Sequence, residues 1–505
     1  MSGDGGDESR LRSLVSVARG ASIYTVGKIV SDAGEFLVHL LVSRWLGAGL
    51  YGLFAYGKTL AFTALLLTNL GSDTSILKYL PQYEGAPAKR RFLLGIAWAT
   101  SFAGALVVST ALFVFAPTVA AVTLADPQFV AVLRLFAGIL FLDTLANLVY
   151  ATFRAVELVE YEVLSKRLLK PLLRVLAVAS ALAAGASVYG VVAAMVVASL
   201  LTLAVAGYLF VSRLDVWPTL GGPHANRKTV REYYNYSLPL TAKEAGTVMQ
   251  SRIDVLMVGF FLSSTAVGIY NVSVLVSGLL YVPLLAFNQL FPPVAARLHA
   301  NDDRKDLAAV YGAITRWIFT ASLLLGVTAI VFRVEILGLF GPEFTAGGLV
   351  LTLFVVSQLF NCATGPSGYL LMMTDHQYVV MVNEWTFGVA NVALNVVLIQ
   401  QFGFAGAAAA SASVLAVLNL TKVAEVWYFE GLHPYSLSFL KPLLAGAVAA
   451  LGMLAVRAAL PPIPAIAAGL LVGIALYGGA LSLLGIETVD RRTYALVAGP
   501  ADENA

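Results

Sequence analysis

The sequence predicts an all-α polytopic membrane protein of about 14 transmembrane helices. It should form two six-helix lobes related by a parallel pseudo-two-fold repeat, plus two C-terminal helices. Three observations lead there. The chain of 505 residues is 59% hydrophobic and 12% charged, with mean hydropathy +0.82, whereas soluble domains run near 25% charged. Apolar segments of about 20 residues, the length that crosses a bilayer as a helix, recur from end to end. Two short patterns also recur at one offset, from Gly52 to Gly268 and from Gly190 to Gly406.

The opening MSGDGGDESR is polar and Gly-rich, so residues 1–19 are expected to be a disordered cytoplasmic tail. Arg10, Arg12 and Arg19 precede the first span, and no small-residue cleavage site follows it, so it reads as retained rather than as a signal peptide. The first lobe, 20–211, holds candidate spans 20–43, 50–73, 92–115, 129–151, 168–185 and 188–211. A cytoplasmic linker at 212–235 carries Arg213, Arg227, Lys228 and Arg231. The second lobe, 236–426, holds spans 236–262, 266–290, 310–332, 346–369, 377–400 and 404–426. Spans 440–458 and 464–485 follow within 427–485, and 486–505 is a second cytoplasmic tail.

Lys and Arg set the orientation. Outer span ends hold Arg44, Arg134, Arg333 and Arg457, and Lys28, Lys58, Lys243 and Arg252 lie within spans; the rest of the 32 fall in inner loops, tails and adjoining span ends. Both termini are therefore expected in the cytoplasm of a cell membrane protein. No outer loop is long enough for an extracellular domain, which argues against a glycan polymerase or ligase with external catalytic residues. Cys362 is the single cysteine and the five histidines show no paired ligand spacing, so neither a disulfide framework nor a metal cluster is expected.

The repeat aligns Trp45-Leu46-Gly47-Ala48-Gly49-Leu50-Tyr51-Gly52-Leu53-Phe54 with Phe261-Leu262-Ser263-Ser264-Thr265-Ala266-Val267-Gly268-Ile269-Tyr270. At the same offset of 216 residues, Tyr189–Ala194 aligns with Ala405–Ala410. Six spans per copy give both copies the same orientation, with the axis relating them along the membrane normal.

The first span carries Lys28, Asp32, Glu35 and His39. Their 4, 3, 4 spacing puts them within roughly 60° of one helix face. A charge on a lipid-facing helix centre costs on the order of 2.5–3.5 kcal/mol, so such a stripe must face protein or water. Lys28 and Asp32 are placed to pair along the helix. The stripe reads either as an internally neutralised structural patch or, the favoured reading, as the wall of a transport cavity. The seventh span repeats the spacing, one residue out of register, with Lys243, Thr247, Gln250 and Asp254. Lys28 is then expected opposite Lys243, and Glu35 opposite Gln250. Arg252 sits about 180° from Lys243 on an ideal helix, so it points at another helix or the helix is irregular there. Pro239 should distort the entry to this span. A third stripe holds Glu384, Gly388, Asn391 and Asn395; the asparagines suit interhelical hydrogen bonding, and Glu384, an intramembrane carboxyl, suits a functional role.

Three other features read as structural. Asn288 and Gln289 form a helix-end feature before Pro292-Pro293. Glu157, Glu160 and Glu162 mix with Lys166, Arg167 and Lys170 as a solvated interfacial face, with a headgroup or gate role as the alternative. Gly52-Leu53-Phe54-Ala55-Tyr56-Gly57-Lys58-Thr59 matches the phosphate-loop pattern, but no strand precedes it and its repeat copy, GIYNVSVL, lacks the Gly-Lys pair. Lys58 is instead expected to snorkel or line the cavity mouth.

Ser43-Arg44-Trp45-Leu46-Gly47 with Tyr51-Gly52, Asp254-Val255-Leu256-Met257-Val258-Gly259 with Val267-Gly268-Ile269-Tyr270, and Phe402-Gly403-Phe404-Ala405-Gly406-Ala407-Ala408 together carry a resemblance. In that order and spacing the chain resembles the polysaccharide and O-antigen flippases of the multidrug/oligosaccharidyl-lipid/polysaccharide exporter superfamily. The resemblance implies two helix bundles in a V, open alternately to either side. It implies passage of a polyprenyl-linked oligosaccharide from inner to outer leaflet, with phosphate and sugars in the polar cavity and the lipid tail in the bilayer. The cationic Lys28 and Lys243 match a phosphate ligand, while Asp32, Glu35 and Asp254 keep the cavity near neutral or carry a coupling H+ or Na+. Partners are then the lipid-linked oligosaccharide and the bilayer, with no nucleotide, nucleic acid or cofactor, and the chain is expected to be monomeric and no enzyme. A drug or small-cation antiporter of the same superfamily would call for a more acidic, lysine-poor cavity.

Overall fold

The computed structural model describes residues 4–485, with side chains described from Gly27 onward except those of 249–251. Every regular element among the described residues is helical. Among the described residues, ten helical stretches are long and apolar enough to cross a membrane. Two of these are bent pairs. Helix α1 (Asp4–Asn69) breaks at Gly47, with φ 75° and ψ 175°, and α16 (Gln377–Glu430) breaks at Gly403, with φ 60° and ψ −143°. Only glycine takes such backbone angles without strain. Each break reverses the chain. Glu35 and Lys58 are 23 residues apart yet bonded, whereas a straight helix would hold them about 35 Å apart.

The chain divides into two compact units, residues 1–268 and 269–505. In the first unit, α1 is followed by α2 (Ser72–Gln82), α3 (Pro87–Val114), the short α4 (Ala116–Val122), α5 (Pro127–Ala155) and α6 (Val159–Glu162). A π-helical turn, Val163–Leu169, runs without interruption into α7 (Lys170–Ala183), and α8 (Val188–Arg213) follows. Helix α9 (Arg227–Phe261) and the start of α10 (Ser264–Gly278) complete the unit. Its buried centre is aromatic and aliphatic: Tyr79, Phe92, Leu94 and Tyr233 in one cluster, Tyr150, Phe153 and Phe210 in another.

The second unit continues through α11 (Val282–Ala300), α12 (Arg304–Val331), α13 (Arg333–Gly338), α14 (Gly348–Thr364), α15 (Ser367–Met373) and α16. Helices α17 (Leu440–Ala459) and α18 (Pro462–Leu483) pack on each other. Phe332, Met453 and Ala465 form a buried cluster with partners from α12.

Three expectations change. Helix α1 begins at Asp4, so residues 4–19 are helical rather than an unstructured tail. The 212–235 linker is a loop only as far as Asn226, whose side chain caps α9 by accepting from Thr229 N at 2.9 Å. Residues 227–235 are therefore the first turns of α9, and Pro239 lies inside that helix without ending it. The 168–185 span corresponds to α7, whose 14 residues are too short to cross alone; the π-helical turn and α6 extend it back to Val159. The tail 486–505 lies outside the described residues.

Candidate functional site

The first unit brings charged side chains of α1, α5 and α7 together. Reversal at Gly47 lays the two halves of α1 side by side, so Lys58 on the return half forms an ion pair with Glu35 on the first. Lys58 Nζ also lies 2.7 Å from His39 Nε2, and His39 Nδ1 is 2.8 Å from the Tyr51 hydroxyl. Lys170 and Arg174, one turn apart on α7, both reach Asp143 on α5, at 3.0 and 2.8 Å. Arg174 links the two groups, since its other guanidinium nitrogen lies 3.8 Å from Glu35. It also donates toward Ser199 on α8 at 3.4 Å, and its Nε–H is buried without a hydrogen-bond partner.

Three of these side chains, Lys58, Asp143 and Arg174, line a cavity of about 100 Å³ together with Phe62, Leu65 and Phe136. Three cations, Lys58, Lys170 and Arg174, thus share two carboxylates, Glu35 and Asp143, with His39 between. The set therefore carries one more cation than carboxylate.

Close helix approach makes this contact geometry. A Cβ at Gly34 would meet Pro171 at 2.8 Å, and one at Gly27 would meet Val163 and Arg167, so α1 lies directly on the π-helical turn and α7. Such turns shift the register of the residues that follow, here Lys170 and Arg174.

The predicted residues do not all converge. Glu35 and His39 belong to the network. Lys28 and Asp32 pair at 2.7 Å along the helix, and the Asp32 side chain is 59% exposed. Lys243 is exposed and makes no ion pair among the described residues, and Gln250 lies outside the residues whose side chains are described. Arg252 resolves the irregularity in its stripe: its guanidinium stands 5.7 Å from the ring centroid of Phe62, which lines the cavity. Asp254 is buried and accepts from Val255 N at 2.8 Å. In the second unit Glu384 pairs with Lys422 at 3.0 Å across the Gly403 bend. Asn391, Asn395 and Ser411 hydrogen-bond to one another, Asn395 Nδ2 reaching Asn391 Oδ1 at 2.8 Å, the interhelical role expected of the asparagines.

Sequence reasoning missed three of the network's members, Lys170, Asp143 and Arg174, and one partner of a fourth. Lys58, expected to snorkel or line the cavity mouth, does line the cavity, and it also forms a half-buried ion pair with Glu35 that the sequence did not suggest. Lys170, assigned to a solvated face, has a side chain only 17% exposed. From the same set Glu162 is fully buried and takes two bonds from Arg154, at 2.9 and 2.5 Å. Asp143 and Arg174 went unremarked; Asp143 is a lone charge in an apolar run, the signal that should have raised it, whereas Arg174 follows the basic run Lys166, Arg167 and Lys170 and blended into it.

A family profile described as polysaccharide biosynthesis protein matches residues 17–298, more than half of the chain. The chain is 30% identical over 197 residues to a probable low-salt glycan biosynthesis flippase, Agl15, of Haloferax volcanii, covering 38% of this chain and 40% of that one. It is 29% identical over 194 residues to a probable flippase, AglR, of the same organism, covering 35% and 39%. The matched part thus spans about two fifths of these relatives. Among solved structures, the lipid II flippase MurJ in an inward closed conformation aligns with TM-score 0.69 at 12% identity, over 95% of this chain and 100% of that one. An inward-facing multidrug resistance transporter aligns with TM-score 0.64 at 14% identity, over 78% and 94%. At such identities these last two establish a common fold. On the profile match, the chain belongs to the polysaccharide biosynthesis protein family.

Proposed function

We propose that the chain is a flippase that carries a polyprenyl-(pyro)phosphate-linked oligosaccharide from the inner to the outer leaflet by alternating access. The observation that carries this reading is the charge around the cavity: Lys58, Lys170 and Arg174 against Glu35 and Asp143. A phosphate leaving water needs charge-assisted donors, and Arg174 has one N–H to spare. The sugars follow the phosphate through the polar interior while the lipid tail stays in the bilayer. Family membership and the names of the two Haloferax relatives support the same reading. In it the chain is a transporter of the cell membrane with cytoplasmic termini, working without a nucleotide. An exporter of organic cations would need a surplus of carboxylates instead.

Deletion of the gene in its host tests this. A lipid-linked glycan should accumulate on the inner leaflet and clear when the wild-type gene is restored, but not with Arg174→Gln at equal protein level. A deletion strain that accumulates no such lipid, and becomes sensitive to cationic compounds, would replace the flippase reading with the antiporter one.

A further inference from the structure

Lys58 occupies two acceptors at once, the Glu35 carboxylate and His39 Nε2. An ammonium can only donate. His39 Nε2 therefore carries the lone pair, and its Nδ1–H donates to the Tyr51 oxygen at 2.8 Å. In this arrangement the buried imidazole is neutral. A proton on Nε2 would aim an N–H at the ammonium 2.7 Å away, so Lys58 and that proton exclude each other.

If Lys58 swings into the cavity that it lines, Glu35 loses its nearest counter-charge. Arg174 stays 3.8 Å away but is also held by Asp143 at 2.8 Å. His39 Nε2 is already 3.7 Å from Glu35 Oε1, close enough for an imidazolium to replace the ammonium. Every element around His39 contributes to this balance. Glu35 lies on its own half-helix, Lys58 and Tyr51 come from the return half of α1, and Arg174 from α7. Arg252 of α9 stands over Phe62 on that return half. Phe54 packs edge-on against the imidazole and brings no charge.

We propose that Lys58 and a proton exchange at the Glu35–His39 pair: an anion in the cavity draws Lys58 out, and one proton binds His39 Nε2 in its place. This rests on the cationic-cavity reading above and adds the coupled ion. The Lys58–His39 hydrogen bond breaks, one N–H bond forms with a proton taken from solution, and Glu35 keeps a cationic neighbour throughout. Anion and proton are then taken up together, and by reciprocity acid strengthens anion binding.

The test is calorimetry on the purified full-length protein in lipid nanodiscs, with inorganic sulfate as the probe because it stays a dianion across the neutral range. Titrations in buffers of different ionisation enthalpy count the protons taken up per sulfate. The wild type should take up about one, and His39→Gln close to none per sulfate bound. Sulfate binding without proton uptake in the wild type overturns this proposal and leaves the anion cavity standing; failure to bind sulfate removes both. Lys58→Gln gives a check that needs no anion. Nitrogen NMR of histidine-labelled protein, at matched acidic pH, should show a larger doubly protonated fraction of His39 in this variant than in the sulfate-free wild type. A His39 that stays neutral in Lys58→Gln, or that is protonated alike in both proteins, overturns the exchange.

Discussion

Gly52 and Gly268 meet each other's helices in the same way. A Cβ at Gly52 would overlap the Ser264 carbonyl, and one at Gly268 would overlap the Ala48 carbonyl. Ala48 precedes Gly52 by four residues, as Ser264 precedes Gly268, so the contact is reciprocal. The two copies of the sequence repeat thus touch at the positions that align.

Gly52→Ala and Gly268→Ala should each destabilise the protein by about 1–3 kcal/mol, because the opposing atoms are backbone and cannot rotate away. Gly138→Ala is the control, since nothing lies within 4 Å of its added Cβ; it should be neutral or slightly stabilising through helix propensity. Thermal unfolding in detergent, followed by size-exclusion chromatography, checks all three. Equal melting temperatures would contradict the packing.

Asp143→Asn should cost about 3–5 kcal/mol, since it leaves Lys170 and Arg174 buried without their shared carboxylate. Adding Lys170→Met should restore much of that loss, because the remaining Arg174 still reaches Glu35 at 3.8 Å. Additive losses in the double variant would show that Lys170 and Asp143 do not act as a pair.

Lys58→Ala should lower flippase activity in the complementation assay by about tenfold or more, a loss of about 1.4 kcal/mol in a charged contact. Lys58→Arg keeps the charge with a different shape and should retain part of it. The Gly-Lys-Thr run lies within the helical return half of α1 rather than in a loop between a strand and a helix, so no ATP hydrolysis dependent on Lys58 is expected. ATP hydrolysis abolished by Lys58→Ala would contradict that assignment.

Lys28→Gln combined with Asp32→Asn should change stability by less than about 1 kcal/mol, as expected of an exposed pair. Protein level and transport are measured together. Normal level with lost transport marks Lys28 as a ligand contact, whereas full transport removes it from the site.

Much of this was legible beforehand. The apolar segments became helices, and the glycines at 47 and 403 stand where two spans were separated in the sequence. Glu35 and His39 were recognisable because a carboxylate and an imidazole seldom occur on one face of an apolar segment. Lys28 and Asp32 share that face, yet their partner is each other. Lys58 was expected to snorkel or line the cavity mouth, but its pairing with Glu35 could not be read from a separation of 23 residues. Lys170 was discounted because neighbouring charges made it look solvated.

The sequence by itself determined the membrane class, the helical architecture and the repeat. Each of these depends on a segment's own apolar length or on comparing segments in line. Tertiary structure alone decided which charges form the site. Ion pairing acts over a few ångströms between side chains on different helices, and Glu35 meets Lys58 across 23 residues only because the chain turns back at Gly47. Asp143, Lys170 and Arg174 likewise join the site because α5 and α7 pack beside α1, a placement that no single helix's pattern encodes.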